Sequence, residues 1–176
     1  YAYMGEITTS SRCGRMDQGC AYGARPIMMT FDGERLDVSE VTVPNDLHFV
    51  IVDLCASKDT KEILSRLNHC YPFAEDDIQR NVQKCLGPTN TEIVRKAHEA
   101  LLKGDAKELG KLMKKAQAEF DKNAAPCCPS ELTAPELHKV LEYKPIQKLI
   151  LGGKGVGSQG DGTAQFIVKD EECQRK

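Results

Sequence analysis

The sequence contains no long apolar run. Nothing in its 176 residues approaches the length needed to span a bilayer, and no signal-peptide pattern opens it. The charges also nearly cancel, with 24 Lys and Arg against 26 Asp and Glu. A formal net charge of -2 makes no electrostatic case for nucleic acid or for an anionic membrane. Internal repeats, low-complexity stretches and coiled-coil heptads are absent. There is no Cys-x-x-Cys pair, and Cys127 and Cys128 are adjacent, so the 8 cysteines lack zinc spacing. The chain is too long and too helical in pattern for a small disulfide scaffold. The expectation is a cytoplasmic protein with reduced, mostly packing thiols. His48, His69, His98 and His138 lack ligand spacing and read as surface or half-buried side chains. The sequence opens on Tyr1 rather than methionine, which points to a processed chain or a fragment.

What is present has a clear order. Pro26 to Phe31 is an apolar, strand-like run, and Asp32-Gly33 after it favours a tight hairpin. Glu34 to Val38 reads as the return strand, which Val41 to Val43 would extend. Pro44-Asn45-Asp46 is a breaker cluster and a candidate boundary. Leu47 to Leu54 is nearly continuously apolar, as expected of a strand covered on both faces. Helices follow. Capping patterns are read at Asp59 with Glu62, Thr89 with Glu92, Asp105 with Glu108 and Thr133 with Glu136. Ile78, Val82, Cys85 and Leu86 form one predicted core face, which Gly87-Pro88 ends. Leu109, Leu112, Met113, Ala116 and Phe120 form another. Thr163 to Val168 reads as a late strand. Strand, helices and strand together predict an α+β arrangement.

Two segments carry chemistry. Leu151 to Gly162 has glycine at 152, 153, 155, 157, 160 and 162. It reads as too glycine-dense for a packing element. A bare backbone can approach a ligand closely and aim several amides at one anion, with Lys154 and Ser158 as added donors. It lacks the spacing of a Walker A loop or a dinucleotide fingerprint. A flexible linker between two strands fits the same residues. Asp17, between Arg15 and Gln18, is a carboxylate able to orient or deprotonate an alcohol. A helix-start aspartate on the surface fits it equally well. Asp53 reads as a strand-end cap.

Together these residues resemble a known family. Cys13-Gly14-Arg15-Met16-Asp17-Gln18 resembles the catalytic-aspartate segment of galactokinase-type GHMP kinases, whose version is Gly-x-Met-Asp-Gln. The Gly152–Gly162 run resembles that family's third motif, a glycine-rich loop between two strands. The resemblance extends from Tyr1 to about Val168. It implies that residues 1–43 are the remnant of an N-terminal kinase domain and that 44–176 are a ferredoxin-like C-terminal domain. It implies an ATP- and Mg2+-dependent phosphotransferase that moves the γ-phosphate to a hydroxyl of a sugar or sugar phosphate. Asp17 would be the catalytic base or orienting carboxylate. Gly14, Arg15, Gly153, Lys154, Gly155, Gly157 and Ser158 would line the substrate and phosphate. The main ligands of ATP and Mg2+ would lie upstream of Tyr1, so no metal ligand is expected in this stretch. Lys154, Gln159 and Asp161 depart from the small residues of the family pattern, and Asp161 would repel phosphate unless Lys154 or a metal intervened. Asp17 and the glycine run are expected to share a cleft. The rival expectation is a non-catalytic sugar- or phosphate-binding module that docks on a separate N-terminal half. A homo-oligomer would cover apolar faces left by a truncated first domain.

Overall fold

A computed structural model describes residues 2–8 and 15–176. They fall into two compact units, Tyr1–Pro44 and Asn45–Lys176. In the first, helix α1 spans Ala2–Glu6 and a 3-10 turn spans Asp17–Tyr22. Strands β1 (Ile27–Asp32) and β2 (Arg35–Glu40) form an antiparallel hairpin. Asp32 pairs with Arg35, so the chain reverses over Gly33-Glu34, with Gly33 at φ 56° as the Asp-Gly signal requires. Val41 to Val43 does not continue the hairpin. The Val41 N–H donates to the Pro26 carbonyl at 2.9 Å, and the ladder ends there.

The second unit opens with β3 (Phe49–Asp53) and continues through α2 (Thr60–His69), α3 (Asp77–Lys84), α4 (Asn90–Leu102), α5 (Ala106–Asn123), α6 (Pro129–Leu132) and α7 (Pro135–Leu141). Strands β4 (Ile150–Gly155) and β5 (Thr163–Val168) follow, then α8 (Glu171–Arg175). The sheet is antiparallel, in the order β3-β5-β4. Alternation along β5 divides two cores. Ile167 packs with Ile93 and Ala100 of α4 and Leu109, Leu112 and Met113 of α5. Ala164, Phe166 and Val168 pack with Leu137 of α7 and Ile150 of β4. The result is an α+β layering of helices on both faces of a small sheet.

Asp59, Asp76 and Asp105 accept the N–H groups of Glu62, Gln79 and Glu108 at 3.0, 2.8 and 2.9 Å, which starts α2, α3 and α5. Gly104 takes the left-handed conformation between α4 and α5, at φ 64°. Two expected caps are not made. Thr89 is itself helical and caps nothing, because a π-turn through Cys85–Thr89 joins α3 to α4 despite Gly87-Pro88. The Thr133 hydroxyl donates to the Pro129 carbonyl instead of starting α7. Ile78, expected in the core, is 44% exposed, and the buried neighbour on its helix is Gln79.

Strand β3 also differs from expectation. It pairs with β5 alone, and Ile51 is 71% exposed. Val50, Val52 and Leu54 of this apolar run pack against the α7-side core, and Leu47 packs against the α4–α5 core. The helices over Ile167 leave the Phe49 and Ile51 side open, so an apolar run here marks an edge strand rather than a doubly covered one. Of the described cysteines, Cys70, Cys85 and Cys128 are buried as packing residues, whereas Cys20 and Cys55 are exposed; Cys13 lies outside the described residues. Burial, then the neighbouring Cys70 and Cys128, pushes the Cys127 thiol up to about 12.

Candidate functional site

Asp17 is the first residue of the 3-10 turn, and its side chain is exposed. Its carboxylate makes no hydrogen bond or ion pair with the described residues, so it is open to a ligand or to solvent. Arg15 is half-buried in the same unit. Its Nη2 pairs with Glu34 Oε2 at 3.2 Å, and its guanidinium lies 4.4 Å above the Tyr3 ring. Arg15 and Gln18 line a groove of about 340 Å³ with Tyr3, Tyr22, Met29 and Leu36. Gly14 lies outside the described residues.

The glycine run divides into two functions. Residues 152, 153 and 155 belong to strand β4 and are packing glycines, contrary to the expectation that so dense a run packs nothing. A side chain on Gly152 would collide with the Gly110 carbonyl of α5, and one on Gly110 would lie 2.7 Å from the Leu151 carbonyl carbon. Helix and strand therefore touch backbone to backbone. A side chain on Gly153 would strike the Phe166 ring, and one on Gly155 would meet Leu137 at 2.9 Å and Gln159. Strand β4 is a sheet edge, and α5 covers it. Gln117 Oε1 accepts the Gly155 N–H at 2.7 Å, which occupies a donor an open edge would expose.

The turn beyond β4 is different. Gly157 and Gly160 have φ of 63° and 74°, and nothing lies within 4 Å of where a Cβ on Gly157 would stand. Val156 N–H donates to Thr163 O at 3.0 Å and Gln159 N–H to Val156 O at 3.2 Å, closing the turn. Among the described residues, the amides of Gly157, Ser158, Gly160 and Asp161 have no acceptor. Successive free amides on a fixed turn are one way a backbone can receive an anion.

Side chains hold this turn in place. Asp161 Oδ1 accepts the Leu137 N–H at 2.8 Å, so it caps α7 from a distance and is not aimed at a ligand. Buried Gln159, itself at φ 66°, donates from Nε2 to the Gly155 carbonyl at 3.2 Å. Lys154 Nζ donates to that carbonyl at 2.6 Å, and burial holds its ammonium below the ordinary lysine range. Ser158 is half-buried and makes no hydrogen bond with the described residues.

A polar chain missed in the sequence joins β4, α5 and α7. From the Gly155 N–H it passes through Gln117, whose Nε2 donates to Asp121 Oδ1 at 2.8 Å. Asp121 Oδ2 lies 3.0 Å from His138 Nε2, and His138 Nδ1 lies 2.8 Å from the Ala134 carbonyl. Both ring nitrogens face oxygens that only accept, so the imidazolium satisfies both. Burial opposes that charge, but Asp121, the Ala134 carbonyl and Glu142 together raise the His138 pKa above its ordinary value. Only the acceptor spacing across folded elements carries this signal, which is why four scattered histidines looked uninformative.

Among the described residues, no group of three or more His, Cys, Asp or Glu side chains could hold a metal ion. No helix among them is long and apolar enough to cross a membrane.

No family model and no curated protein matches the chain. Solved structures do. The mevalonate kinase of L. major, in complex with R-mevalonate, superposes with a TM-score of 0.67 at 20% identity, over 95% of this chain and 46% of that one. The galactokinase of Lactococcus lactis, complexed with galactose, superposes with a TM-score of 0.55 at 15% identity, over 83% of this chain and 44% of that one. Both are GHMP kinases, and this chain spans about half the length of each. The chain shares the fold of these two kinases, the GHMP kinase fold that the Met16-Asp17-Gln18 segment and the glycine run resemble.

Proposed function

We propose that this chain is part of a small-molecule kinase that transfers the γ-phosphate of ATP to a hydroxyl of a sugar or sugar phosphate, in the cytoplasm. The observation that carries the reading is the Val156–Asp161 turn, a fixed backbone whose free amides suit a phosphate group. The kinase fold of the neighbours supports it. On this reading Gly157, Ser158 and the adjacent amides hold the transferred phosphate by hydrogen bonds. Gly153 and Gly155 matter because their lack of side chains lets β4 and its turn sit where they do. Asp17 orients the acceptor hydroxyl and takes its proton, while Gly14 and Arg15 shape the acceptor's surroundings. Mg2+ supplies charge neutralisation in such a transfer. On this reading the main nucleotide and metal contacts belong to the half of the kinase fold this chain does not span.

The test is an assay with ATP, Mg2+ and a panel of sugars and mevalonate-like alcohols, with the chain alone and mixed with the complementary half of the fold. Transfer in the mixed sample is expected to fall at least ~100-fold on Asp17→Asn, with little change in acceptor affinity, as for loss of a general base. Undiminished turnover removes Asp17 from the mechanism. No transfer in either sample, with retained sugar or phosphate binding, leaves a non-catalytic module.

A further inference from the structure

Lys58 stands in the link between β3 and α2, far in sequence from the glycine turn, and no motif draws attention to it. Its Nζ donates to the Gln159 carbonyl at 2.8 Å and reaches the Val156 carbonyl at 3.4 Å. Its stem lies along the turn: side chains placed on Gly160 and Gly162 would meet its Cδ at 3.3 Å and its Cε at 2.9 Å. It has no ion pair with the described residues, and burial holds its ammonium below the ordinary lysine range. The charge is therefore directed at backbone carbonyls.

That contact has a geometric consequence. In a trans peptide the C=O and the following N–H point in opposite directions. With the Val156 and Gln159 carbonyls drawn toward one ammonium, the N–H groups of Gly157 and Gly160 point away from it. Neither has an acceptor among the described residues; Gly157 is exposed and Gly160 buried, so the Gly157 amide is the one open to a ligand. Asp161, tied to α7, and Gln159, tied to Gly155, fix the flanks of the same turn.

We propose that Lys58 is a positioning residue for the glycine turn: its ammonium gathers the carbonyls on the inner side, so that the exposed Gly157 amide, with that of Ser158 beside it, is presented outward to a phosphate group. The phosphate part rests on the kinase reading above; the strut itself does not. Lys58→Met keeps the apolar stem against Gly160 and Gly162 and removes the donor. Lys58→Arg keeps a cationic donor and serves as the rescue. The first measurement is amide hydrogen exchange at Val156 and Gln159, whose N–H groups close the turn. Lys58→Met is expected to speed exchange there about 10-fold, the effect of losing a charged hydrogen bond, with β5 amides unchanged and the arginine variant close to the parent. Exchange at Gln159 equal to the parent's overturns the strut.

The second measurement is titration with inorganic phosphate, followed at the amide resonances of Gly157 and Ser158. In the parent both should shift. In Lys58→Met the affinity should fall about 10-fold while the thermal midpoint of the domain changes little, and arginine should restore it. Equal phosphate affinity in Lys58→Met overturns the positioning role. If the parent shows no phosphate-induced shift, the phosphate reading falls, and the exchange measurement still decides the strut.

Discussion

At the scale of single residues, His138 makes a pH-dependent contribution. Its folded pKa is raised above the ordinary value, so protonation and folding favour each other. The stabilisation is fully present below the ordinary histidine pKa of about 6.5 and is lost as pH rises through the higher folded value. Asp121 on α5 and Glu142 beyond α7 are the acidic groups that sustain it. His138→Gln is expected to cost roughly 1 kcal/mol at pH 5.5 and distinctly less at pH 9, because solvent reaches about a third of both partners. Chemical denaturation at the two pH values checks this; an equal cost at both would show that the imidazolium pair contributes nothing. Gly157 illustrates another residue-scale effect. Space around it is open, but its left-handed backbone penalises any side chain, so Gly157→Ala should lower stability by about 1 kcal/mol without disturbing the core.

At the scale of elements, the contact between α5 and β4 is the tightest in the second unit. Gly110 and Gly152 let helix and strand approach until their backbones touch. Neither glycine tolerates a methyl group unless one element moves. Gly152→Ala should destabilise by about 3 kcal/mol or more, at the upper end for an overpacked core. Gly110→Ala should do nearly the same. Because either change separates the same two elements, the double variant should lose less than the sum of the two. Thermal unfolding of the three variants tests this, and simple additivity would mean that the two glycines do not share one contact. The sequence placed α5 correctly through Asp105, Glu108 and the Leu109, Leu112 and Met113 stripe. It hid Gly110 and Gln117 on the same helix, because a glycine that admits a strand and a glutamine that caps its edge have no periodicity.

At the scale of the whole molecule, the packed clusters among the described residues lie in the second unit. They include the α4–α5 core, the α7-side core, and the two smaller clusters around Ile63 and Val82. A unit with its own core folds alone. A polypeptide of residues 45–176 should therefore keep its helical circular dichroism and a cooperative thermal transition. A broad, non-cooperative melt would show that its stability depends on residues 1–44. The exposed side of β3, with Ile51 outermost, should tolerate a polar residue: Ile51→Thr should change stability by no more than about 0.5 kcal/mol, as at other surface positions.

Local chemistry is what the linear order of residues determined without help. Helix starts at Asp59 and Asp105, the Asp32-Gly33 reversal, the α+β alternation and the likeness of two short segments to a kinase family all depend on neighbours a few positions apart. Tertiary structure alone decided which glycines separate elements and which free a backbone for a ligand. It turned Asp161 inward to cap α7, brought Lys58 beneath the turn, left one side of β3 open and assembled the chain from Gly155 to His138. Each of these depends on contacts between residues far apart in the chain, and close packing fixes such contacts where no local repeat can encode them.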